Sequence, residues 1–497
     1  MKMMKKQITK IILFALFIFG TTSCSDEYFD VNTPSGTAQP EQLRMNDLLA
    51  PIIHSTLEGQ RSGELTFGNY TQYFVGQGGT ASGETQATGL WNQVYLFILP
   101  NIKQIKEKAA NNGAVHFAAV ADILTAINLG IATDSWDNIP YSQASLGQDN
   151  LFPTFDTQEQ IYTEIFALLD NAISALQGDD TSGISVSASS DLIYDGDMEK
   201  WLRAAYTLKA RYQLHLVNKG TTSPNDVLAS IANGFTSNDD DFLMSYNDKN
   251  INPWYAGEVL ARNTGNFHHD IASQLVSSMN GDYYPFAGAL TIDPRLPIFA
   301  SIDDGETAWR GFVSGGGGLS PDGTENANTF FVEDGYYTSI ASPLLLISYA
   351  EAMFIKAEAS FLANGGTITS VGATTEAYTA YMEGINASMN MYGINGADYM
   401  ADTSIDVGEG SLMLNHIMKE KYINNFLNPE TFVDYRRYNF SDDVFKGLKI
   451  RNEEDADGDF AGLWFRRATY PSSELNRNRV NTEANQQTPV SPVWWEN

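Results

Sequence analysis

The chain has 497 residues, of which 60 are acidic and 30 are Lys or Arg, so its formal net charge is −30 at pH 7. Because affinity for phosphate depends on Lys and Arg, this charge excludes nucleic acid and anionic lipid headgroups as expected partners. Hydrophobic residues make up 43% of the chain and aromatic residues 12%, which excludes a disordered acidic protein and allows a packed core.

The first 24 residues have the pattern of a lipoprotein signal. Residues 1–10 contain four lysines and no acidic residue, residues 11–19 are apolar, and small residues precede Cys24, the only cysteine. An apolar run of about nine residues is too short to span a bilayer as a helix, which needs roughly 20. We predict a signal peptide over 1–23 and lipidation of Cys24, with attachment to the membrane through lipid alone. An ordinary signal peptide with an incidental cysteine is the alternative.

The residues after Cys24 indicate a destination. The acidic stretch 25–27 resembles the signal that exports Bacteroidota lipoproteins to the outer face of the outer membrane. Residues 28–45 are polar and contain Pro and Gly, so 24–45 is predicted to be a lipidated N-terminus and tether. Removal of four lysines with the signal peptide changes the net charge from −30 to −34. We expect a protein on the cell outer membrane that faces the medium.

Residues 46–497 are predicted to form a single, mainly α domain. Apolar residues recur at spacings of three and four in eight segments, which lie within about 90–218 and about 344–438. The segments fall into four pairs, and stacked helix pairs are typical of tetratricopeptide-like repeats. We expect these pairs to form a scaffold, with long loop-rich insertions that carry little β structure.

The stretch 221–340 differs from the helical segments because it is rich in Gly, Asn, Asp and aromatic residues. Long loops that interrupt a scaffold often carry function, so this stretch is the predicted ligand region. Loops that only cover the ends of helices are the alternative.

The sequence has no recognisable catalytic motif. Neither G-x-S-x-G, H-E-x-x-H nor a phosphate-binding loop occurs, so we expect no enzyme activity and no cofactor. His268 and His269 are adjacent and cannot share one helix face, so a metal pair is not expected. Residues 455–459 resemble a calcium loop, but Phe460 and Arg466 stand where an EF-hand needs Gly and Glu. A weak structural calcium site and a solvated acidic loop both stay open.

Aromatic residues with polar neighbours are the predicted ligand surface. Sugars present flat C–H faces that stack on aromatic rings, while polar side chains bond the hydroxyl groups. The candidate ligand-binding residues are Phe67, Tyr70, Tyr73, Trp91, Trp254, Tyr255, Asn263, Tyr283, Tyr284, Trp309 and Arg310. Large aromatic residues also dominate protein cores, so a packing role is the alternative for each of them.

Five groups of motifs follow one another along the chain. They are 194–201 with 208–212, the DPRLP turn at 293–297, 343–352 with 357–359, 419–423 with 434–437, and 470–478. In this order they resemble the SusD/RagB family of surface lipoproteins, in particular its SusD-like branch. Asp137 and Tyr422 depart from the Gly and Trp that are usual in the family. Most of these motifs are expected to be structural, with Asp197 as a helix cap and with Arg436 and Arg437 paired to carboxylates.

The resemblance implies a nutrient-binding lipoprotein of the outer membrane. Its implied partner is a SusC-like, TonB-dependent barrel, over which the lipoprotein acts as a hinged lid. It would capture an oligosaccharide, or alternatively a peptide, and deliver it to the barrel without chemistry. A helical-repeat adaptor without a small ligand and a surface glycoside hydrolase are the alternative functions.

Overall fold

The structure is a computed structural model that describes residues 42–81, 83, 85–450, 460 and 462–496. From Met45 onwards the described residues form one compact unit. The predicted signal peptide, Cys24, the acidic loop 455–459 and most of the predicted tether lie outside the described residues.

Helices make up most of the regular structure, which confirms the predicted mainly α class. In chain order the α-helices are α1 (Met45–Tyr70), α2 (Thr88–Asn92), α3 (Leu99–Asn112), α4 (Val115–Trp136), α5 (Gln158–Leu176), α6 (Met198–His215), α7 (Pro224–Ile231), α8 (Ala261–Asn263), α9 (Ser273–Met279), α10 (Leu296–Phe299), α11 (Tyr349–Ala363), α12 (Thr375–Met391), α13 (Ala397–Met400), α14 (Leu414–Asn424), α15 (Glu430–Arg437), α16 (Ser472–Arg477) and α17 (Arg479–Asn485). Gln93–Ile98 and Tyr255–Leu260 are π-helical and continue into α3 and α8.

Consecutive helices pack side by side, as expected for tetratricopeptide-like pairs. The most extensive pairs are α4 with α5, α11 with α12, and α6 with α7. Local sequence explains where several of these helices begin. Thr157 and Gln160 form a capping box at the start of α5. Asp197 accepts hydrogen bonds from the backbone N–H groups of Glu199 and Lys200 at 2.9 and 3.1 Å, which confirms its predicted role as the cap of α6.

Helix α1 is the largest element that the periodicity did not predict. It contains Pro51 and three glycines, which weaken a helical pattern in the sequence. In the fold these small residues allow α1 to pack closely against neighbouring helices. A Cβ atom at Gly63 would lie 3.2 Å from Ile131 and 3.3 Å from Leu90, so a larger residue would push α1 away from α2 and α4.

Strands are short, in agreement with the little β structure that was expected. They are β1 (Phe74–Gly76), β2 (Phe242–Met244), β3 (His269–Ile271), β4 (Ala300–Ile302), β5 (Thr329–Phe331) and β6 (Leu344–Ile347). Four form an antiparallel sheet in the order β1-β3-β5-β4, and β2 pairs with β6. Residues 344–347 were predicted to be helical, and this was wrong: the apolar run pairs with β2, and the helix begins only at Tyr349.

The core lies between the helices and one face of the larger sheet. On that face Phe74 of β1 and Phe331 of β5 pack against Trp254. Helix α4 is the one helix of the described residues that is long and apolar enough to cross a bilayer, but most of it is buried among its neighbours. A helix that is apolar on all sides is also typical of the centre of a large protein core.

The charged motif residues lie in the core and are paired, as expected of structural motifs. Arg437 donates to Asp434 at 2.7 Å and also bonds Glu358, whose second oxygen is 3.6 Å from Lys421. Arg436 donates to the backbone carbonyl of Asp134 at 2.8 Å and lies 3.9 Å from the carboxylate of Glu496. Because removing one partner would leave a buried charge uncompensated, we expect a single substitution in this set to be strongly destabilising.

Candidate ligand-binding groove

Five of the predicted ligand-binding residues lie in the core. They are Phe67, Tyr70, Tyr73, Trp91 and Trp254. Phe67 stacks on Phe432 with 4.9 Å between ring centroids, Tyr73 stacks on Tyr422 at 4.6 Å, and Trp254 is only 1% exposed. These rings offer no face to solvent, so we do not assign them to a surface site. The sequence alone could not distinguish core rings from ligand-binding rings, because protein cores and sugar-binding surfaces use the same residue types.

The other six candidates are partly or fully accessible, and the structure distributes them over separate places. They are Tyr255, Asn263, Tyr283, Tyr284, Trp309 and Arg310. Arg310 forms ion pairs with Glu306 at 3.0 Å and Glu325 at 3.1 Å, so it holds its own loop together. Asn263 donates to Glu333 at 3.4 Å on an exposed surface.

Tyr283 lines a cavity of about 490 Å³ that is open to solvent. The lining comprises Asp282, Tyr283, Ile368, Thr369, Met413, Asn415, Asp442, Asp443, Lys446 and Gly447, and we call this set the Tyr283 groove. It joins the predicted ligand region to three parts of the C-terminal half: the loop before α12, the start of α14 and the loop after α15.

The turn after α9 positions the first wall of the Tyr283 groove. The Asp282 carboxylate accepts hydrogen bonds from Asn280 at 2.9 Å and from the Ser277 hydroxyl at 3.3 Å. The backbone N–H of Tyr283 donates to the Ser277 carbonyl at 3.0 Å. Asn280 also donates to the carbonyl of Trp309 at 3.3 Å, which brings the Trp309 backbone beside this turn. These bonds hold the backbone of the turn that carries Tyr283.

The loop after α15 forms the opposite wall. Asp442 accepts a hydrogen bond from the N–H of Gly447 at 2.6 Å, which closes a tight loop. Gly447 has a φ of +76°, and a Cβ atom there would lie 2.3 Å from the Tyr283 ring. Only glycine therefore allows both the turn and the close packing of the ring on the loop.

Burial and two nearby lysines shift the pKa values of residues in and next to the Tyr283 groove. The ammonium groups of Lys419 and Lys446 lie 5.3 and 5.0 Å from the centroid of the Tyr284 ring. Burial raises the pKa of Tyr283 and of Tyr284, so both phenols stay protonated at neutral pH. Burial, together with Lys446 and Lys419, lowers the pKa of His416 to about 4, so this imidazole is neutral at pH 7.

Several polar groups of the Tyr283 groove lack partners. Asn415 is only 4% exposed, and its Oδ1 atom has no hydrogen-bond partner among the described residues. Within the same part of the chain, the Asp443 carboxylate and the Lys446 ammonium form no ion pair, although both line the cavity. The Asn415 oxygen is enclosed by the protein, whereas Asp443 and Lys446 are exposed and can contact a ligand in the groove.

This combination suits a polar ligand that has an apolar face. Tyr283, Ile368 and Met413 supply apolar contact, and the carboxylates and Lys446 supply hydrogen bonds. The described residues contain no group of three or more His, Cys, Asp or Glu that could hold a metal ion. His268 and His269 each pair with a carboxylate of their own, Asp270 at 3.3 Å and Glu258 at 3.0 Å.

Of the residues that line the Tyr283 groove, only Tyr283 is among the candidates from the sequence. Asn415, Asp442, Asp443 and Lys446 lie more than a hundred residues further along the chain, where no local pattern distinguishes them from other surface or helix residues. The aromatic pair at 283–284 inside a loop-rich region was the only available signal.

Comparisons with known proteins agree with the fold. A solved chitin-binding protein is 23% identical, with coverage of 91% of this chain and 100% of its own and a TM-score of 0.71. A chitin-binding SusD homolog from Flavobacterium johnsoniae is 21% identical. The match covers 91% of this chain and 98% of the homolog, with a TM-score of 0.69. A SusD/RagB family protein from Bacteroides thetaiotaomicron is 24% identical. The match covers 92% of this chain and 99% of that protein, with a TM-score of 0.68.

A search of curated proteins found no match. The sequence matches the SusD-like family model described as "Starch-binding associating with outer membrane" over residues 37–471. This match spans most of the chain and includes four of the five motif groups and the start of the fifth. The chain belongs to the SusD-like branch of the SusD/RagB family, as its ordered motifs predicted.

Proposed function

We propose that the protein is a lipid-anchored outer-membrane component that captures an oligosaccharide in the Tyr283 groove and delivers it to a SusC-like, TonB-dependent barrel. Members of its family are binding proteins and not enzymes, in agreement with the expected lack of catalysis. The family description, which names starch and the outer membrane, supports both the ligand class and the location. Two similar structures are of chitin-binding proteins, which also supports a glycan ligand.

The observation that carries the proposal is the half-buried Tyr283 ring in one open cavity with the exposed Asp443 carboxylate and Lys446 ammonium. A sugar ring can place its C–H face on Tyr283 while the exposed Lys446 ammonium donates to one of its hydroxyl oxygens. Carboxylates of Asp282 and Asp443 accept from further hydroxyl groups.

Calorimetric titration with starch and chitin oligosaccharides tests the glycan site. Replacing Tyr283 by Ala should weaken binding by about 1–3 kcal/mol, by analogy with base–aromatic stacking. Tyr283→Phe should retain most of the affinity, because it keeps the ring. Tyr255→Ala is the matched control, since Tyr255 is also half-buried but does not line the groove. Loss of binding in Tyr255→Ala with no effect of Tyr283→Ala would place the site elsewhere.

Delivery to a barrel is tested separately, because it needs a partner and not only a ligand. Tagged protein extracted from its native membrane in mild detergent should co-purify a barrel of the SusC type. The complex is expected to bury more than about 2,000 Å², as permanent complexes do. Tyr283→Ala should still co-purify the barrel if it disturbs only the ligand site. Repeated recovery of the protein alone would contradict the transport role.

A further inference from the structure

The Tyr283 groove has an excess of negative charge. Three aspartates, Asp282, Asp442 and Asp443, line it together with one cation, Lys446. The whole chain adds to this field, with 60 acidic residues against 30 basic ones. A ligand that enters the groove therefore meets a negative potential.

The three carboxylates differ in how much of their bonding capacity the protein already uses. Asp282 accepts from Asn280 and Ser277, and Asp442 accepts from the backbone of Gly447. Asp443 is exposed to the groove and makes neither a hydrogen bond nor an ion pair with any described residue. Asp443 is consequently the carboxylate that is free to bind a ligand.

The free carboxylate of the groove favours a ligand that donates hydrogen bonds. The exposed Asp443 carboxylate is an acceptor without a partner among the described residues. The one charged donor, Lys446, is held beside the Tyr284 ring at 5.0 Å, where a cation–π contact already stabilises its charge. An ammonium group offers three donors and no acceptor, and it therefore complements the carboxylate oxygens better than an acetamide group does.

We infer that the Tyr283 groove selects a glycan that carries a protonated amine over the N-acetylated glycan of the same length, and that it rejects uronic acid glycans. This inference rests on the proposed function and specifies the ligand class of the same site. One charge-assisted contact to Asp443 should make the amine-bearing glycan about tenfold tighter. Carboxylate-bearing sugars would face Asp282, Asp442 and Asp443 without enough cations to pair with them.

The test compares chitosan tetramer, chitin tetramer and a galacturonate tetramer by calorimetry at a pH of about 6, where the amine and the aspartates are both charged. Chitosan tetramer should bind about tenfold tighter than chitin tetramer, and galacturonate tetramer should not bind. Asp443→Asn should reduce the ratio of the chitosan and chitin affinities severalfold. Asp179→Asn removes the same charge at an exposed position outside the groove and should leave the ratio unchanged.

Equal or weaker binding of chitosan tetramer would overturn the inference. Equal effects of Asp443→Asn and Asp179→Asn would also overturn it, because the preference would then come from the overall charge of the protein. Binding of neither tetramer overturns it as well, even if another glycan binds. If chitin tetramer binds through Tyr283 without any amine preference, only the inference fails. If Tyr283→Ala changes the affinity for neither tetramer, the proposed glycan site itself fails.

Discussion

Arg295 of the DPRLP turn donates to Glu420 of α14 across 2.6 Å, and both side chains are fully buried. The same guanidinium also bonds Asp293 at 2.6 Å. The pair ties the predicted ligand region to helix α14, which begins beside the Tyr283 groove and carries Asn415 in its first turn. The DPRLP turn therefore has a structural role, as expected of these motifs, because it links the predicted ligand region to the helix that carries Asn415.

Replacing Glu420 by Gln should destabilise the protein by about 3–5 kcal/mol, because Arg295 would be left as a buried charge with one partner fewer. Burial alone would raise the pKa of Glu420, but Lys419 and Arg295 lower it to about 2, so the carboxylate is ionised at neutral pH. Urea unfolding at pH 7 measures the loss. Glu107→Gln, at an exposed position of α3, is the control. A loss below about 1 kcal/mol would mean that the pair contributes little.

Replacing Gly447 by Ala should weaken glycan binding without unfolding the domain. The new methyl group would meet the Tyr283 ring and would also sit at a φ of +76°, so either the ring or the loop has to move. Affinity and melting temperature should be measured together. Gly410→Ala is the matched control, because a Cβ there meets no atom within 4 Å and the backbone has no positive φ. Unchanged affinity in Gly447→Ala would show that the orientation of Tyr283 does not matter.

The two tryptophans of the predicted ligand region should behave differently. Trp254 is buried against Phe74 and Phe331, so Trp254→Ala should cost about 3–5 kcal/mol of stability. Trp309 is half-buried beside the turn at Asn280, so Trp309→Ala should cost less stability. Thermal unfolding of both variants distinguishes the two environments. A larger loss for Trp309→Ala than for Trp254→Ala would contradict the placement of the rings.

Stability should fall at alkaline pH through His215. Burial alone would lower the pKa of His215, but Glu430 at 2.7 Å and Asp134 at 3.3 Å raise it from 6.5 to about 9. Tyr162, at 2.8 Å, also faces the ring, and its own pKa is raised by burial, so it stays neutral there. A raised folded-state pKa stabilises the protein fully below pH 6.5, and this stabilisation is lost as the pH rises through 9.

The His215 effect is measured as the difference in unfolding free energy between the native protein and His215→Gln. The contribution of the raised pKa to this difference should be about 3 kcal/mol near pH 6 and should shrink steadily towards pH 9. A difference that stays constant over this range would show that His215 is not protonated in the folded protein.

Cys24→Ala should release the protein from the membrane or leave it unprocessed, because the thiol would be the lipid acceptor. Fractionation of cells that express the native or the variant protein measures this, with Tyr283→Ala as a control that keeps the signal intact. Two or more acyl chains give stable anchoring, so the native protein should stay in the membrane fraction after a salt wash. Normal retention of Cys24→Ala in the membrane would exclude the lipid anchor.

Local patterns in the sequence were sufficient to predict the mainly α fold class and the protein family. Apolar spacings of three and four report one buried face of a helix, and motifs such as the DPRLP turn depend on residues that are close in the chain. The same reasoning overlooked α1, because Gly63 is favourable only where it lies against Leu90 and Ile131. It also assigned 344–347 to a helix, because only the pairing with β2 makes this apolar run a strand.

The Tyr283 groove could be recognised only in the tertiary structure. Whether an aromatic ring stacks on Phe432, as Phe67 does, or lines an open cavity, as Tyr283 does, is determined by residues hundreds or scores of positions away. The partners of Tyr283 in the groove, above all Asn415 and Asp443, approach it only because helix α14 and the loop after α15 fold back onto the turn that follows α9. Burial is a property of such long-range contacts, whereas the sequence by itself determines periodicity, capping and motif order, which are properties of neighbouring residues.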